Sequence, residues 1–353
     1  MSDKAIIVSL RFNPAFIQTL IAYAKAFSSL GIISEFLVDQ AYLSFPELTN
    51  LAKAVEFRGL PIPGQWRHAV FVNPSMDNRV VATELKGCGT RILYIYHEPW
   101  QMSLDYLQSE GVLATIRAFF AHRATIPVLR LADQVLLPSQ TALKQYRKAE
   151  ANENSNGAYL PLIFDDDARM DSSTLLAEKQ YFSFIGKPCR SHGFDQFVRT
   201  MRHAMDEDPS ARFLIASRFP LPGFVKRDDL IRSRQLEIVC GRPLTNEEMN
   251  RCYRESYCVW NIYRRSTQSG VLPKAFMFGT PVVASRVGSF TEFVEDGVNG
   301  RFAKADDPKG VWTAVKEVRQ NLHHYAENCR KTFCKTFYFE SWLPHLARML
   351  RPE

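Results

Sequence analysis

The stretch from Leu244 to Gly300 constrains this chain more than any other. It reads LTNEEMNRCYRESYCVWNIYRRSTQSGVLPKAFMFGTPVVASRVGSFTEFVEDGVNG. Thr245, followed three residues later by Glu248, is a capping box, so a helix starts there and is expected to run to about Ser256. Cys258 to Tyr263 reads as a buried strand, and Ser266 to Gly270 as a small polar loop. Pro273 suits the first turn of a second helix, where its missing N–H is no loss. Val271, Leu272, Ala275 and Phe276 face a core until Gly279, and Pro281 to Ala284 is the next strand. Strand, small-residue loop, helix, strand is the order of a parallel α/β sheet. A loop that leaves a strand's carboxyl end and opens a helix offers backbone N–H groups to an anion such as a diphosphate. Many α/β turns share this order and bind nothing, so the order alone leaves the ligand open.

The chain has 353 residues, room for two domains of about 150–190 residues each, with a core apiece. An apolar fraction of 46% and a charged fraction of 23% are those of an ordinary globular protein. No N-terminal apolar run resembles a signal peptide and no stretch is long and apolar enough to span a bilayer, so a cytoplasmic protein is the expectation. The seven cysteines form no Cys-x-x-Cys pair and are expected to be reduced core thiols. A formal net charge of +7 fits phosphorylated substrates, polyanions or an anionic membrane surface. The basic residues are dispersed and no nucleic-acid motif is present, so nucleic acid is not an expected partner.

Along the chain, Ala5 to Leu10 predicts a first strand, followed by Asn13-Pro14 and an amphipathic helix ending near Gly31. Further strands are expected at about 33–38, 68–72, 91–96 and 134–137, with Ser139 capping the helix after the last. The polar residues 150–157 predict a loop near a domain boundary. A second sheet is expected from Tyr181 to Gly186, with strands at 211–216 and 236–239. Trp312 to Asn328 reads as one long helix. Glu340 to Leu350 reads as a final helix, with Trp342, Leu346 and Leu350 on one face. The tract Asp165-Asp166-Asp167 is read as a solvated linker run rather than a metal site. The segment Arg117–Arg130, RAFFAHRATIPVLR, mixes aromatics with positive charge, as interfacial helices do. Pro127 is expected to cut it short and leave a partly buried helix, with peripheral contact at the inner face of a membrane as the other reading.

A resemblance sharpens this. Gly279-Thr280-Pro281-Val282-Val283-Ala284-Ser285, then Gly288, then Glu292-Phe293-Val294-Glu295-Asp296-Gly297, then Gly300, resembles the signature of retaining family 4 glycosyltransferases of the GT-B fold. The likeness is dense from about Tyr181 to Asp307. It implies an α/β protein of two Rossmann-like domains whose parallel sheets face a central cleft. Residues 1–160 would be the N-terminal acceptor-side domain and 161–339 the nucleotide-sugar-binding domain, with a helix at 340–353 packing back on the first. The family usually carries two glutamates separated by seven residues. Counting back without gaps, those positions are Ser266 and Lys274 here, and neither is acidic.

The loop Gly186-Lys187-Pro188-Cys189-Arg190-Ser191-His192-Gly193 is similar to the family's G-R-x-x-x-x-K-G, with Lys187 at the arginine position and His192 at the lysine position. Loop cations beside a helix N-terminus suit a diphosphate. The resemblance implies donor-binding roles for Gly186, Lys187, Arg190 and His192, and for the loop Ser266, Thr267, Gln268, Ser269 and Gly270. It extends them to Arg265 beside that loop, to Arg242 near the nucleotide base, and to Lys274 and Glu292. His97 ends the strand RILYIY at a carboxyl sheet edge and is implied to be the catalytic residue, facing the sugar as charge builds at its anomeric carbon. Asn13 stands on the acceptor side, where the family has a glycine-rich loop. Solvated cations and a structural histidine are the plain alternatives. For Lys274 the alternatives are a phosphate contact in place of a ribose contact, or a side chain that snorkels to solvent.

The resemblance implies a retaining transferase that moves a sugar from a nucleotide diphosphate sugar to a hydroxyl of a glycan or lipid-linked glycan, with no cofactor and no bound metal. Two competitors stand beside it. One is a non-catalytic GT-B subunit that binds a nucleotide sugar or a partner enzyme. The other is a nucleotide-sugar 2-epimerase on the same scaffold.

Overall fold

A computed structural model describes residues 3–62, 64–99, 111–149, 156–168, 176, 179–226, 233–241 and 244–351. The chain divides into two compact units, Met1–Asp165 together with Thr336–Glu353, and Asp166–Lys335.

The first unit is built on a seven-stranded sheet. Its strands are β1 (Lys4–Ser9), β2 (Ile33–Val38), β3 (Lys53–Glu56), β4 (His68–Phe71), β5 (Arg91–Ile95), β6 (Gln134–Leu137) and β7 (Gly157–Tyr159). They lie in the order β3-β2-β1-β4-β5-β6-β7, and every pairing is parallel. Near-continuous apolar strands such as AIIV bury both faces, so helices must cover both. On one face α1 (Ile17–Ser29) sets Leu20 and Phe27 against Ile7, Val70 and Leu93. The same cluster takes in Phe339, Leu346 and Leu350 from the end of the chain. On the other face α2 (Asn78–Gly87) and α3 (Val112–Leu131) bring Val81, Val128 and Leu129 onto Val8, Phe71 and Tyr94. A further helix, α4 (Gln140–Ala149), starts where the Ser139 hydroxyl accepts the Ala142 N–H at 2.9 Å.

The second unit carries six parallel strands: β8 (Tyr181–Ile185), β9 (Phe213–Ala216), β10 (Leu236–Val239), β11 (Ser256–Asn261), β12 (Val282–Ala284) and β13 (Gly300–Phe302), in the order β10-β9-β8-β11-β12-β13. Its helices include α5 (Phe194–Glu207), α6 (Asn246–Arg254), α7 (Val271–Met277), α8 (Pro308–Gln320) and α9 (Leu322–Thr336). An aromatic cluster fills one face, with the Phe182 ring 5.4 Å from Phe197 and 6.3 Å from both Phe213 and Trp260. The capping box forms as expected, each of Thr245 and Glu248 accepting the other's backbone N–H, and α6 ends at Arg254.

Several expectations are corrected. Pro127 does not cut its helix short: α3 runs through it for 20 residues. The long helix expected over Trp312–Asn328 is two helices, α8 and α9, separated at Asn321, which leaves helical geometry at φ −113°, ψ 30°. The final helix begins later than expected, as a 3-10 turn at Phe339–Trp342 followed by Leu343–Leu350. The expected loop at 150–157 already enters β7 at Gly157, and its residues 150–155 lie outside the described residues.

Asp165, Asp166 and Asp167 are not a solvated run. Asp165 pairs with Lys25, Asp166 with Arg330 at 2.7 Å, and Asp167 with Lys274 at 2.6 Å. Each carboxylate has its own cation, fetched from more than a hundred residues away in sequence. The first belongs to one unit and the other two to the next. No group of His, Cys, Asp or Glu fit to hold a metal occurs among the described residues.

Candidate donor-binding site

In a doubly wound sheet the strand order reverses at one point, and the loops leaving the two strands there diverge and open a crevice. In the second unit that point lies between β8 and β11. The loops concerned are Gly186–Gly193 and Ile262–Gly270, which hold most of the residues expected to bind the donor, Arg242, Lys274 and Glu292 lying elsewhere.

The two loops are sewn together. The Trp260 indole donates to the His192 carbonyl at 3.0 Å, and the Arg264 N–H donates to the Ser191 carbonyl at 2.9 Å. The Arg264 guanidinium reaches the Arg190 carbonyl at 3.1 Å and Asp195 at 3.3 Å. The His192 ring stacks on Tyr263 with centroids 4.3 Å apart and planes 8° from parallel. Gly193 has φ +66°, and a Cβ there would lie 2.3 Å from the Ile262 carbonyl oxygen, so only glycine lets the loops close up.

Ser266, at the first glutamate position, is buried and clamped. Its hydroxyl meets that of Ser289 at 2.9 Å, and its carbonyl accepts the Ser289 N–H at 3.0 Å. The motif glycine Gly288 is needed for this contact. It has φ +49°, and a Cβ would sit 1.7 Å from the Ser266 oxygen. Ser269 meets the Tyr263 phenol and receives the Leu272 N–H at 3.4 Å. Thr267 and Gln268 are half-buried beside them, and Gly270 is exposed at the start of α7.

The cations divide sharply. Lys187 and Arg190 are exposed and form no ion pair among the described residues; the Lys187 ammonium lies 5.9 Å from the Phe219 ring. Arg265 is exposed too, as is Glu292 in the one-turn helix Phe290–Phe293. Lys274 does not snorkel to solvent: it is turned inward, onto a carboxylate of its own unit. It is buried, with its ammonium 2.6 Å from Asp167 and 2.9 Å from the Asn250 carbonyl oxygen, while the Asn250 amide donates to Asp167 at 3.1 Å. The cation finds its countercharge and acceptor inside the unit. Arg242 lies outside the described residues.

Sequence reading passed over Cys189, in the same loop. Burial alone would raise its thiol, but hydrogen bonding and charge from His192, with the Ser191 hydroxyl at 3.2 Å, outweigh it and lower it to about 7.

In the first unit the order reverses between β1 and β4. Asn13, just past β1, caps a 3-10 turn by accepting the Ala15 N–H at 3.0 Å, while its own N–H reaches the Tyr42 hydroxyl at 3.0 Å. Tyr42, also passed over by sequence reading, is fully buried and ties Ser9 and Asn13 together, giving this loop an order that glycines would not. His97 follows β5 and is 8% exposed, with Phe16 packed on its ring at 4.8 Å. Its Nε2 lies 2.6 Å from the Val72 carbonyl oxygen, which can only accept, so Nε2 carries the proton and Nδ1 is the acceptor side of the ring. Burial lowers its pKa to about 4 despite that hydrogen bond, so the imidazole is neutral at physiological pH.

Comparison with known proteins bears on the fold. The family model for "Glycosyl transferases group 1" matches residues 179–321, which contain every loop of the second-unit site. A D-inositol 3-phosphate glycosyltransferase of Nocardiopsis dassonvillei is 25% identical over 198 residues, 51% of this chain, and the match spans 46% of that relative's length. Among solved structures, Anabaena HepE, determined with UDP and glucose, superposes with a TM-score of 0.71 at 14% identity over 99% of both chains. Sucrose-phosphate synthase of Thermosynechococcus elongatus gives 0.72 at 13% identity over 98% of both. A TarM variant of S. aureus gives 0.74 at 8% identity, over 99% of this chain and 100% of that one. Residues 179–321 therefore match the glycosyl transferases group 1 family, and the chain that carries them has the α/β GT-B fold of two Rossmann-like domains.

Proposed function

We propose that this chain is a retaining glycosyltransferase, moving a sugar from a nucleoside diphosphate sugar to a hydroxyl of a glycan or lipid-linked glycan. The observation that carries this reading is the pair of loops at the β8–β11 reversal, inside the segment that matches the family. They hold Lys187 and Arg190 out to solvent with no carboxylate to neutralise them. In this reading both cations hold the diphosphate together with backbone N–H groups of Ser266–Gly270, so no metal ion is required. The acceptor's own hydroxyl loses its proton to the departing phosphate. His97 does not act as an acid, since its ring is neutral and Nε2 is engaged.

HepE was solved with UDP, which makes uridine diphosphate the first probe. Purified chain is expected to consume at least one common nucleotide sugar and release the nucleoside diphosphate. Calorimetry with uridine diphosphate should show Arg190→Ala weaker by about 1.5–3 kcal/mol, the value of a charge-assisted hydrogen bond. Unchanged affinity in both Lys187→Ala and Arg190→Ala would remove this loop from the site. One observation favours a second reading. With Ser266 tied to Ser289 and Lys274 to Asp167, neither glutamate position offers a carboxylate to a donor, as in a non-catalytic subunit. Binding without turnover of any common donor would decide for it.

A further inference from the structure

The first nine residues of α3 carry apolar side chains on the wrong side. Val112 is 61% exposed, Leu113 73%, Ile116 47%, Phe119 40% and Phe120 65%. Spaced at i, i+1, i+4, i+7 and i+8, these five share one face of the helix over about 12 Å of its length. The opposite side of the same helix is already satisfied. Thr125, Val128 and Leu129 are buried in the first unit, and the His122 ring meets the Tyr96 hydroxyl at 2.9 Å. The helix therefore has an inner face that anchors it and an outer apolar face that belongs to neither core cluster among the described residues. Contiguous apolar patches of this kind mark an interaction surface.

The charges around the patch choose its occupant. Arg117 and Arg123 are exposed beside it, the Arg123 guanidinium lying 5.9 Å from the Phe119 ring, and from Gly111 to Ala132 the sequence contains no acidic residue. A second copy of this helix would bring arginines against arginines with no carboxylate to answer them. No described helix is long and apolar enough to cross a membrane. Aromatic and aliphatic side chains flanked by arginines, on a helix held at one end, are what an in-plane interfacial helix needs. The apolar face enters the acyl boundary and the guanidiniums reach lipid phosphates.

We infer that the outer face of α3, Val112 to Phe120 with Arg117 and Arg123, docks the protein on an anionic lipid bilayer. This rests on the surface of the first unit alone and holds whatever sugar, if any, the chain transfers.

Sedimentation of the full chain with vesicles tests it. The wild type should pellet with vesicles of equal parts phosphatidylglycerol and phosphatidylcholine and stay largely soluble with phosphatidylcholine alone. Replacing two charges, Arg117→Ala with Arg123→Ala, should weaken binding about thirtyfold. The pair Phe119→Asp and Phe120→Asp should abolish pelleting while leaving the melting temperature unchanged, since both rings face water. A wild type that pellets with neither vesicle, or a phenylalanine pair variant that pellets as well as wild type, overturns the inference. So does light scattering that finds a wild-type dimer converted to a monomer by the same pair, which would give the face to a second copy.

Discussion

His97 shows how the burial of one side chain sets a pH response. Its pKa is depressed to about 4, below the ordinary value of 6.5, mainly because burial disfavours the charged ring. Between those two values the unfolded chain binds a proton that the folded chain refuses. The histidine's contribution is therefore fully present above pH 6.5 and is lost as pH falls toward 4, on the order of 3 kcal/mol in all. His97→Gln, which keeps a donor for the Val72 carbonyl, is expected to flatten the decline of stability over that window. Urea denaturation at several pH values measures it, and an unchanged slope would mean that other groups carry the acid response. His97's place at a sheet edge was legible in the sequence because the strand RILYIY is an unbroken apolar run. Its bond to Val72 was not, since nothing local tells β5 that β4 is its neighbour.

The same division runs through the secondary structure. Strands that end in a run of three buried apolar residues, such as Ile33–Val38 and Gln134–Leu137, fall at the bounds their sequences predict. Strands at or near the sheet edges, such as Lys53–Glu56 and Gly157–Tyr159, are half-buried and mixed in composition, so no periodicity announces them. The break at Asn321 lacks any glycine or proline. The aspartate tract is the clearest case, because its partners are distant in sequence. Asp167 joins the chain between the units to α6 through Asn250 and to α7 through Lys274. Lys274→Ala would leave that carboxylate half-buried with no cation and only the Asn250 amide to donate to it, and is expected to destabilise the second unit by about 2–3 kcal/mol. Adding Asp167→Ala should cost little more. Chemical denaturation of the four species of this cycle decides it. Stability unchanged, with weaker binding of nucleoside diphosphate, would instead return Lys274 to the phosphate.

At the scale of the whole molecule, the two loops at the β8–β11 reversal stood out in the sequence because motif residues cluster within one segment. The interruption of one unit by the other came through a family likeness rather than from physics. The Phe164 N–H donates to Phe337, and the Phe339 N–H to Phe164, at 2.8 and 3.0 Å, so the end of the chain is stitched beside the exit from the first unit. Removing residues 336–353 would uncover the cluster around Leu20 and Phe27 that Phe339, Leu346 and Leu350 cover. Truncation after Lys335 should lower the melting temperature of the first unit by roughly 10 °C or more while sparing the second, as scanning calorimetry would resolve. A single shared transition shifted as a whole would contradict that independence. The stitching also has a consequence for biosynthesis. A ribosome finishes the second unit before it delivers the residues that complete the first. The half that starts first must therefore wait, its apolar surface open to chaperones, while the half that starts later is already closed.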